Sequence, residues 1–424
     1  MALRWHAIQL TDRVATQLGA ESKEFARAGN EYGGRRSVRR LNVLISGAGI
    51  AGCTLAYWLA RYGHTATVVE RGGAIRSSGA PVDVRGPAAQ VAEEMGIARR
   101  LQDASTRVGG LSLLDGSGRR RAHIDLVGLR RSMTMRHVEL PRGDLAAILH
   151  EASRDTAEFI FGDSIASLTQ DDRAIEVTFE RSAPRSFDLV IGADGLHSVV
   201  RRLAFGPEAR FVHHAGLYAA TLPLPRGLDP QGEILMLNAP DRCVALHPSR
   251  DTPVALFIFW QPEIADLDHH DAEQHKRLVE EVFGDLGWKV PEMLAAVRTA
   301  TALYFDAVSQ VVMTDWARGR AALVGDAASC VSLFGDGSTL AIAGAHTLAS
   351  ALAESPDDHA EAFRRYQSRH GKLVAGKQRD LTRVASMLVP RTERGITWRN
   401  RIVGLIGGVQ AGVKRLRGVR SKNM

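Results

Sequence analysis

Residues 41–52 read Leu41-Asn42-Val43-Leu44-Ile45-Ser46-Gly47-Ala48-Gly49-Ile50-Ala51-Gly52. The first six are an apolar run of strand length, and the last six form a G-x-G-x-x-G turn. A helical segment follows, and a second apolar run, 66–69, ends at Glu70. This strand-turn-helix-strand context separates the motif from a chance cluster of glycines. The stretch therefore predicts a Rossmann-like α/β domain that binds a dinucleotide.

Each glycine of the turn has a separate physical purpose. Gly47 permits the tight turn, Gly49 lets a pyrophosphate approach the backbone, and Gly52 lets the helix pack closely on its strand. The free N–H groups and the dipole at the helix N-terminus then hold the phosphates. Glu70 lies 23 residues after Gly47, close to the spacing of an acid that binds a ribose hydroxyl.

Composition indicates a globular protein of two domains, or one large domain with a satellite. The chain has 424 residues, of which 45% are hydrophobic and 24% charged. Cys53, Cys243 and Cys330 are far apart and form neither a metal-binding spacing nor an even disulfide set. We therefore expect no metal site and a reducing, cytoplasmic location.

The basic charge belongs to the two ends of the chain. Residues 391–424 hold nine Lys/Arg and one acid, and residues 1–40 hold eight Lys/Arg and four acids. Of the total net charge of +7, this leaves −5 for residues 41–390. With no zinc finger or other nucleic-acid module, we expect no nucleic-acid partner. The most apolar stretch, 321–345, is broken by acids and glycines, so no segment reads as a membrane span, and the start of the sequence lacks a signal-peptide core.

The pattern predicts a dinucleotide domain interrupted by a strand-rich one. Between 211 and 259, short apolar runs separated by prolines leave no room for a helix of ten residues. The first domain resumes with a short buried strand at 321–324. The predicted division is a basic extension 1–40, a first part 41–210 with an early excursion at 111–140, a β-rich substrate domain 211–300, a second part 301–390, and a basic helical tail 391–424.

Two further motifs follow strands and open helices. The first is Asp194-Gly195, and the second is Gly325-Asp326 followed by Gly335-x-Gly337. The Asp326 carboxylate suits a ribityl or ribose hydroxyl. The N–H groups at Gly337 and Ser338 suit a partial negative charge such as a flavin C2 carbonyl.

With these three motifs the chain resembles the single-component FAD-dependent aromatic hydroxylases. These are the p-hydroxybenzoate hydroxylase-like monooxygenases, which include the Tet(X)-type tetracycline-modifying enzymes. The resemblance covers roughly residues 41–388 and extends to Val82-Asp83-Val84-Arg85-Gly86 and Leu140-Pro141-Arg142-Gly143-Asp144-Leu145. It implies a glutathione-reductase-type FAD domain interrupted by a β-sheet substrate domain, with C-terminal helices.

The resemblance also implies which residues bind non-covalent FAD. Glu70 would bind the ribose with Arg71 beside the adenine end, and Arg142 would contact the pyrophosphate and ribityl chain. Asp194 would brace an arginine and the pyrophosphate. The implied cofactor-binding set is Gly47, Ala48, Gly49, Ile50, Ala51, Gly52, Glu70, Arg71, Asp83, Arg85, Arg142, Asp194, Gly325, Asp326, Gly335, Gly337, Ser338 and Thr339.

The implied reaction is hydroxylation of an aromatic or polyketide-like small molecule. Because the chain has only one G-x-G-x-x-G, it has no second Rossmann domain dedicated to NADPH or NADH. The nicotinamide cofactor would therefore bind transiently, with Arg76 as a candidate contact. Hydride reduces FAD, O₂ adds at flavin C4a, and the resulting hydroperoxide transfers one oxygen atom. The cofactor carries this chemistry, so no catalytic triad is expected. A phenolic substrate would gain from a base or a hydrogen-bond acceptor. His247, Tyr218 and Tyr304 are candidates for that role, although a structural role is favoured for each.

Other functions remain open. The loop 329–334 lacks the proline usual in the family, which favours an FAD-dependent reductase or dehydrogenase without oxygen insertion as an alternative. A non-catalytic ligand- or flavin-binding protein is a third interpretation. A flavin halogenase is disfavoured because its W-x-W-x-I-P signature is absent.

Several side chains allow both a structural and a functional interpretation. The pairs His213-His214 and His269-His270 are more typical of solvated positions than of metal ligands, and Phe259 and Trp260 of core than of a pocket. Apolar residues recur at helical spacing within 398–419 among Lys and Arg. Such a segment usually packs on its own domain, so membrane association is possible but not expected. The oligomeric state is not predicted.

Overall fold

The computed structural model describes residues 39–75, 80–128, 137–225, 227–250, 252–265, 267–268, 271–301, 303–331 and 336–405. Most of the basic N-terminal extension lies outside these residues. So do Arg76, the pair His269-His270, Gly335 and the chain beyond 405.

We label eighteen strands and ten helices in the described part of the chain, which also contains one 3₁₀ turn. The strands are β1 Asn42–Ser46, β2 Thr65–Glu70, β3 Val82–Arg85, β4 Gly110–Leu114, β5 Arg120–Asp125, β6 His137–Leu140, β7 Glu158–Phe161, β8 Ile165–Gln170, β9 Ile175–Phe179, β10 Arg185–Phe187, β11 Leu189–Gly192, β12 Val212–Pro223, β13 Glu233–Ala239, β14 Arg242–His247, β15 Val254–Trp260, β16 Tyr304–Val311, β17 Ala317–Arg318 and β18 Ala321–Leu323. The helices are α1 Ile50–Arg61, α2 Pro87–Glu94, α3 Ala98–Asp103, α4 Arg142–Ser153, α5 Val199–Ala204, α6 Ala272–Phe283, α7 Val290–Thr299, α8 Asp326–Ser329, α9 Asp336–Glu354 and α10 His359–Leu388.

A six-stranded sheet forms the centre of the first domain. Its order is β17-β18-β11-β1-β2-β7, and all pairs except β17–β18 are parallel. Val43, Leu44 and Ile45 in β1 are fully buried, as expected for a central parallel strand covered on both faces. Helix α1 packs against α9 and α4. The predicted Rossmann-like α/β fold is confirmed.

A seven-stranded sheet forms the second layer, in the order β16-β12-β15-β14-β13-β4-β5. Strands β4 and β5 come from the early part of the chain, within the predicted excursion. A separate hydrophobic cluster joins one face of this sheet to α6 and α7. The other face contributes side chains to the core of the first domain.

Strand β16 belongs to the seven-stranded sheet. The predicted second part begins at residue 301, and its first strand, Tyr304–Val311, pairs antiparallel with β12. The central sheet resumes only at Ala321–Leu323, which pairs with β11. The pairing partner of β16 lies about ninety residues earlier in the chain, so no local pattern could identify it.

The C-terminal part of the described chain is helical. Helix α10 spans 30 residues, and a further helical segment covers 393–405. Among the described residues, no helix is long and apolar enough to cross a membrane.

His370 lies inside the contact between α9 and α10. It is 3% exposed, it stacks on Tyr366 at 5.9 Å, and a Cβ at Gly344 would lie 2.8 Å from its Nε2. That nitrogen has no hydrogen-bond partner within the described residues. Burial therefore lowers the pKa of His370 to about 4.

This burial predicts an acid-sensitive stability. Because the folded-state pKa lies below the unfolded value near 6.5, the stabilising contribution is present above that value and is lost as pH falls towards 4. The loss amounts to up to about 3 kcal/mol. In His370→Phe, the free energy of unfolding measured with urea should fall less steeply between pH 7 and pH 4 than in the parent. The matched change at an exposed position, His213→Phe, should leave this pH dependence of the unfolding free energy unchanged. Equal pH dependence in the parent and in His370→Phe would contradict the assignment of the acid sensitivity to His370.

Candidate active site

The glycine turn between β1 and α1 is forced by close contacts. Gly47 has φ +104°, and its N–H donates to the Val69 carbonyl at 2.7 Å. A Cβ at Gly47 would lie 2.6 Å from the Ala193 carbonyl oxygen, and one at Gly52 would lie 1.9 Å from that of Gly47. Side chains at both positions are therefore excluded by backbone atoms that cannot move independently.

Gly49 is glycine for a different reason. It is the N-cap of α1 with no side-chain cap, and the first turn of α1 contains no acid. A Cβ at Gly49 would meet no protein atom within 4 Å. The positive end of this helix therefore lies open beside a space free of protein. This arrangement fits the diphosphate of FAD.

Glu70 lies at the end of β2 beside this turn. Its Oε2 accepts from the Ala48 N–H at 2.9 Å, and its Oε1 accepts from the Gly72 N–H at 2.8 Å. Both bonds fix the carboxylate next to the helix N-terminus, where a ribose would lie. The neighbouring Arg71 is exposed.

Asp194 holds two strands and a helix together. Its carboxylate accepts from the N–H groups of Val199 at 2.9 Å and Val200 at 3.2 Å. It also accepts from the hydroxyls of Ser198 and, at 3.2 Å, Ser46. Burial raises the pKa of Asp194, and the donated hydrogen bonds oppose that shift. The carboxylate thus braces the end of β1 against α5, and no arginine in the described part of the chain donates a hydrogen bond to it.

Arg201 is a structural residue that the sequence analysis missed. Its side chain is fully buried, and it donates to the carbonyls of Leu196 and, at 3.1 Å, Ala327. It also forms an ion pair with Glu208 at 3.1 Å. It therefore ties the D-G motif to the G-D motif. Nothing in the local pattern distinguishes Arg201 from its exposed neighbour Arg202.

The G-D motif meets the glycine turn directly. Gly325 has φ +66°, and a Cβ there would lie 2.9 Å from the Ala51 Cβ of α1. The Asp326 carboxylate lies 3.6 Å from the position of a Cβ at Gly337. Within the described residues Asp326 makes no hydrogen bond or ion pair. Its oxygens can therefore accept from ribityl hydroxyls.

The β3–β6 ribbon is fastened to the first turn of α9. The Asp83 carbonyl accepts from the hydroxyls of Ser338 at 2.6 Å and Thr339 at 3.1 Å. Asp336 forms ion pairs with Arg85 and, at 3.2 Å, with Lys377. Burial alone lowers the pKa of Arg85, but Asp336 and Asp83 outweigh it and raise the pKa above the usual value.

Asp83 is engaged on its other side as well. Its carboxylate lies 2.6 Å from His137 Nε2 across the ribbon. Asp83 and Arg85 therefore position α9, whose N-terminal N–H groups were predicted to face the flavin pyrimidine edge.

Tyr304 lies near two of the predicted cofactor residues. Electrostatic interactions link its hydroxyl to Arg142, Asp326 and Cys330. The residue is 48% exposed, yet desolvation of the hydroxyl, followed by Asp306, raises the pKa of Tyr304 above its usual value. The phenol therefore stays protonated. Its hydroxyl donates to Asp306 Oδ2 at 3.4 Å, a long and weak bond that a better-placed acceptor can replace. Arg142 itself is exposed at the start of α4 and has no ion-pair partner in the described part of the chain.

Strand register places Tyr304 at the open end of one row of side chains. Directly paired positions run across six neighbouring strands from β16 to β4 as Tyr304, Thr221, Leu256, Ala245, Met236 and Leu113. Ala245, Met236 and Leu113 are buried in the core shared with the first domain. Leu256 is partly exposed and Tyr304 half exposed. Thr221 between them is buried. The exposed end of the row is therefore Tyr304, whose hydroxyl interacts electrostatically with Arg142 and Asp326.

Tyr218 points away from this opening. Its ring is 1% exposed and stacks on Phe259 and Phe305 in the cluster under α6 and α7. Its hydroxyl accepts from the Ile264 N–H at 2.9 Å. Trp260 lies on the opposite face, where its Nε1–H donates to the Val389 carbonyl at 2.8 Å. Tyr218, Phe259 and Trp260 thus take part in packing.

His247 has both ring nitrogens engaged. Nδ1 lies 2.7 Å from the Pro248 carbonyl oxygen, and Nε2 lies 3.0 Å from Glu139 Oε1. Both bonds together require either an imidazolium or a protonated Glu139. In this arrangement the ring links β14 to β6, and no nitrogen is left to act as a base. No cluster of three or more possible metal ligands occurs among the described residues.

The turn geometry predicts separable effects of alanine at two glycines. Gly52→Ala should destabilise the fold, because its Cβ meets the Gly47 carbonyl. Gly49→Ala should leave the melting temperature of the apoprotein unchanged and raise the FAD Kd at least about tenfold, because the Cβ occupies the phosphate approach. Quenching of flavin fluorescence on titration measures the Kd.

Gly376→Ala is the matched control. Its Cβ also meets nothing within 4 Å, but it lies on α10, so FAD affinity should be unaffected. Equal FAD affinity in Gly49→Ala and the parent contradicts the placement of the diphosphate.

Comparison with known proteins agrees with this geometry. Residues 40–371 match the FAD binding domain family. An uncharacterized protein of Mycobacterium tuberculosis (strain H37Rv) is 38% identical over 340 residues, which cover 79% of this chain and 91% of that protein. A flavin-dependent monooxygenase of Legionella longbeachae is 33% identical over 346 residues, covering 80% and 88% of the two chains.

Solved structures give the same result. The crystal structure of tetracycline destructase Tet(55) superposes with a TM-score of 0.75 at 32% identity, covering 87% of this chain and 96% of that one. The chain therefore belongs to the FAD-dependent aromatic hydroxylase family of flavoprotein monooxygenases.

Proposed function

We propose that this protein is an NAD(P)H-dependent monooxygenase that uses FAD and O₂ to hydroxylate an aromatic or polyketide-like small molecule. One observation carries the proposal: the row of side chains on the sheet opens beside the residues suited to FAD. The protonated Tyr304 phenol at that end interacts electrostatically with Asp326 and Arg142. A flat, mostly apolar substrate with a hydrogen-bonding group suits such a space.

The chain's own residues hold and orient the cofactor. The open N-terminus of α1 would take the diphosphate, Glu70 a ribose, Asp326 the ribityl chain, and the first turn of α9 the pyrimidine edge. Bound FAD would supply the redox chemistry, taking hydride from NAD(P)H and passing one oxygen atom of O₂ to the substrate. The family's relative Tet(55) is a tetracycline destructase, which supports a polyketide-like substrate.

The substrate wall belongs to the sheet. Leu256 and the small Ala219 flank Thr221 and Tyr304 on the face turned to the first domain. Leu256 and Ala219 give this part of the wall an apolar surface, and Tyr304 adds a hydroxyl that would donate to a substrate oxygen in place of Asp306. Because the Tyr304 phenol stays protonated, it positions a substrate oxygen and does not remove a proton from it.

We place the protein in the cytoplasm because its three cysteines are buried and free. A small-molecule substrate and O₂ are the proposed partners. Either NADH or NADPH would serve as the hydride donor.

The reductase or dehydrogenase interpretation rests on the loop after the G-D motif. Of that loop, the structure describes 329–331, where Val331 forms a β-bridge with Gln310 of β16. This bridge ties the loop to the strand that carries Tyr304. A loop without the usual proline could favour hydride transfer without oxygen insertion.

Substrate-stimulated NAD(P)H oxidation tests the proposal. Purified, FAD-loaded protein is mixed with NADPH or NADH and a panel of phenols and polyketides, and O₂ uptake and product mass are recorded. The proposal expects a stimulated rate and a product heavier by one oxygen atom. A stimulated rate with no oxygen in any product supports the reductase, and FAD-loaded protein that never oxidises NAD(P)H supports a binding protein.

Tyr304→Phe should weaken the response to the substrate found in that panel. Loss of one directed hydrogen bond should raise the half-saturating substrate concentration about three- to thirtyfold, with FAD affinity unchanged. Tyr62→Phe is the control, since its hydroxyl faces Ser350 between α1 and α9 and should leave the response intact. An unchanged half-saturating concentration in Tyr304→Phe contradicts the proposed substrate wall.

A further inference from the structure

The last described helical segment, 393–405, has one buried and one exposed face. Ile396, Arg399 and Val403 are 8%, 7% and 9% exposed. The Arg399 guanidinium donates to the Asn238 side-chain oxygen at 2.7 Å and to the Met387 carbonyl at 3.2 Å. The segment is therefore fixed to the body of the protein through this face, as the sequence analysis expected.

The opposite face carries an unusual stripe. Arg394, Trp398, Arg401 and Leu405 follow one another at spacings of four, three and four, which places them on one side of a helix. Trp398 is 63% exposed and Leu405 is 72% exposed, the two most exposed large apolar side chains in the described chain. Arg394 and Arg401 are exposed and have no ion-pair partner among the described residues. We call these four residues the outer stripe.

Ordinary surface chemistry does not account for the outer stripe. An indole left largely in water has a free-energy cost that packing normally removes. The nearby Trp260 and Arg391 are packed and paired in the usual way. The Arg391 guanidinium lies over the Trp260 ring at 5.0 Å and forms an ion pair with Asp241 at 3.1 Å. The outer stripe has no such arrangement. The one acid on the segment, Glu393, lies outside the stripe.

The charge around the outer stripe indicates which kind of partner the stripe would bind. Residues 406–424, which follow it directly, contain five Lys/Arg and no acid. Two copies of the outer stripe, each followed by these basic residues, would repel each other. A second copy of the chain is therefore disfavoured as the partner of the stripe. Arginines alternating with Trp and Leu along one helix face are instead typical of contact with an anionic lipid surface, in which the apolar side chains enter the headgroup region.

We propose that the outer stripe docks the protein on the surface of membranes rich in anionic lipids. The helix would lie on the bilayer and would not cross it. Arg394 and Arg401 would contact the lipid phosphates and carboxylates, and Trp398 and Leu405 would insert between the headgroups. The inference does not depend on the reaction that the enzyme performs.

Vesicle sedimentation tests this docking on the full-length, FAD-loaded protein. We expect sedimentation with vesicles of phosphatidylcholine and phosphatidylserine, little with phosphatidylcholine alone, and a decrease with added salt because exposed charges are screened. Trp398→Ala with Leu405→Ala should weaken partitioning at least about tenfold, and Arg394→Gln with Arg401→Gln at least about fivefold.

Matched controls separate the outer stripe from general charge and hydrophobicity. Arg99→Gln with Arg100→Gln removes two exposed arginines from α3, and Val312→Ala removes an apolar side chain that is 47% exposed. Both should sediment like the parent. Acyl chains carrying bromine should quench tryptophan fluorescence in the parent and much less in Trp398→Phe, which places the indole in the bilayer.

Three outcomes overturn the proposal. The first is an absence of sedimentation with anionic vesicles at low salt. The second is sedimentation that the outer-stripe variants leave unchanged. The third is a dimer in light scattering that Trp398→Ala dissociates while no vesicle binding occurs, which would make the face an interface between copies.

Discussion

The whole cofactor side of this protein depends on how closely α1 approaches the turn that precedes it. A single methyl group at Gly52 would lie 1.9 Å from the Gly47 carbonyl oxygen. That contact sets the direction of α1 and brings its uncapped N-terminus to the carboxyl edge of the central sheet. Gly325 then touches Ala51 of the same helix, so the position of Asp326 follows from the position of α1. One backbone contact therefore fixes two of the regions suited to FAD.

The first domain is assembled from pieces far apart in sequence, and polar side chains join them. Asp194 links β1 to α5, Arg201 links the D-G segment to α8, and the Asp83 carbonyl links β3 to α9. A buried cation such as Arg201 adds little net stability, because desolvation offsets most of its Coulomb energy. Its value is geometric, since five directed N–H groups can satisfy several carbonyls in only one arrangement. These links keep separated segments in register around a site that none of them forms alone.

Sequence could predict the parts whose cause is local. The roles of Gly47, Gly49 and Gly52 follow from spacing, and the structure reproduces the distinction between two packed glycines and one open glycine. What depends on pairing between distant strands could not be predicted. The sequence did not reveal that β16 joins β12, that Arg201 is buried whereas Arg202 is exposed, or that His247 meets Glu139. In each case the deciding partner lies on another element and leaves no trace in the nearby residues.

Alternation along the strands decides which candidate residues lie on the face of the sheet that is turned to the first domain. Tyr218 and Phe259 occupy positions that face α6 and α7, whereas Thr221, Leu256 and Tyr304 occupy the opposite face. A shift of one residue in register would exchange these sets. The apolar part of the row can distinguish substrates only weakly, because one methylene changes binding by about 1–3 kcal/mol. A hydroxyl that hydrogen-bonds the substrate discriminates more strongly. Under the proposed function, Tyr304 at the β16 end of the sheet would therefore do most to determine which molecule is accepted.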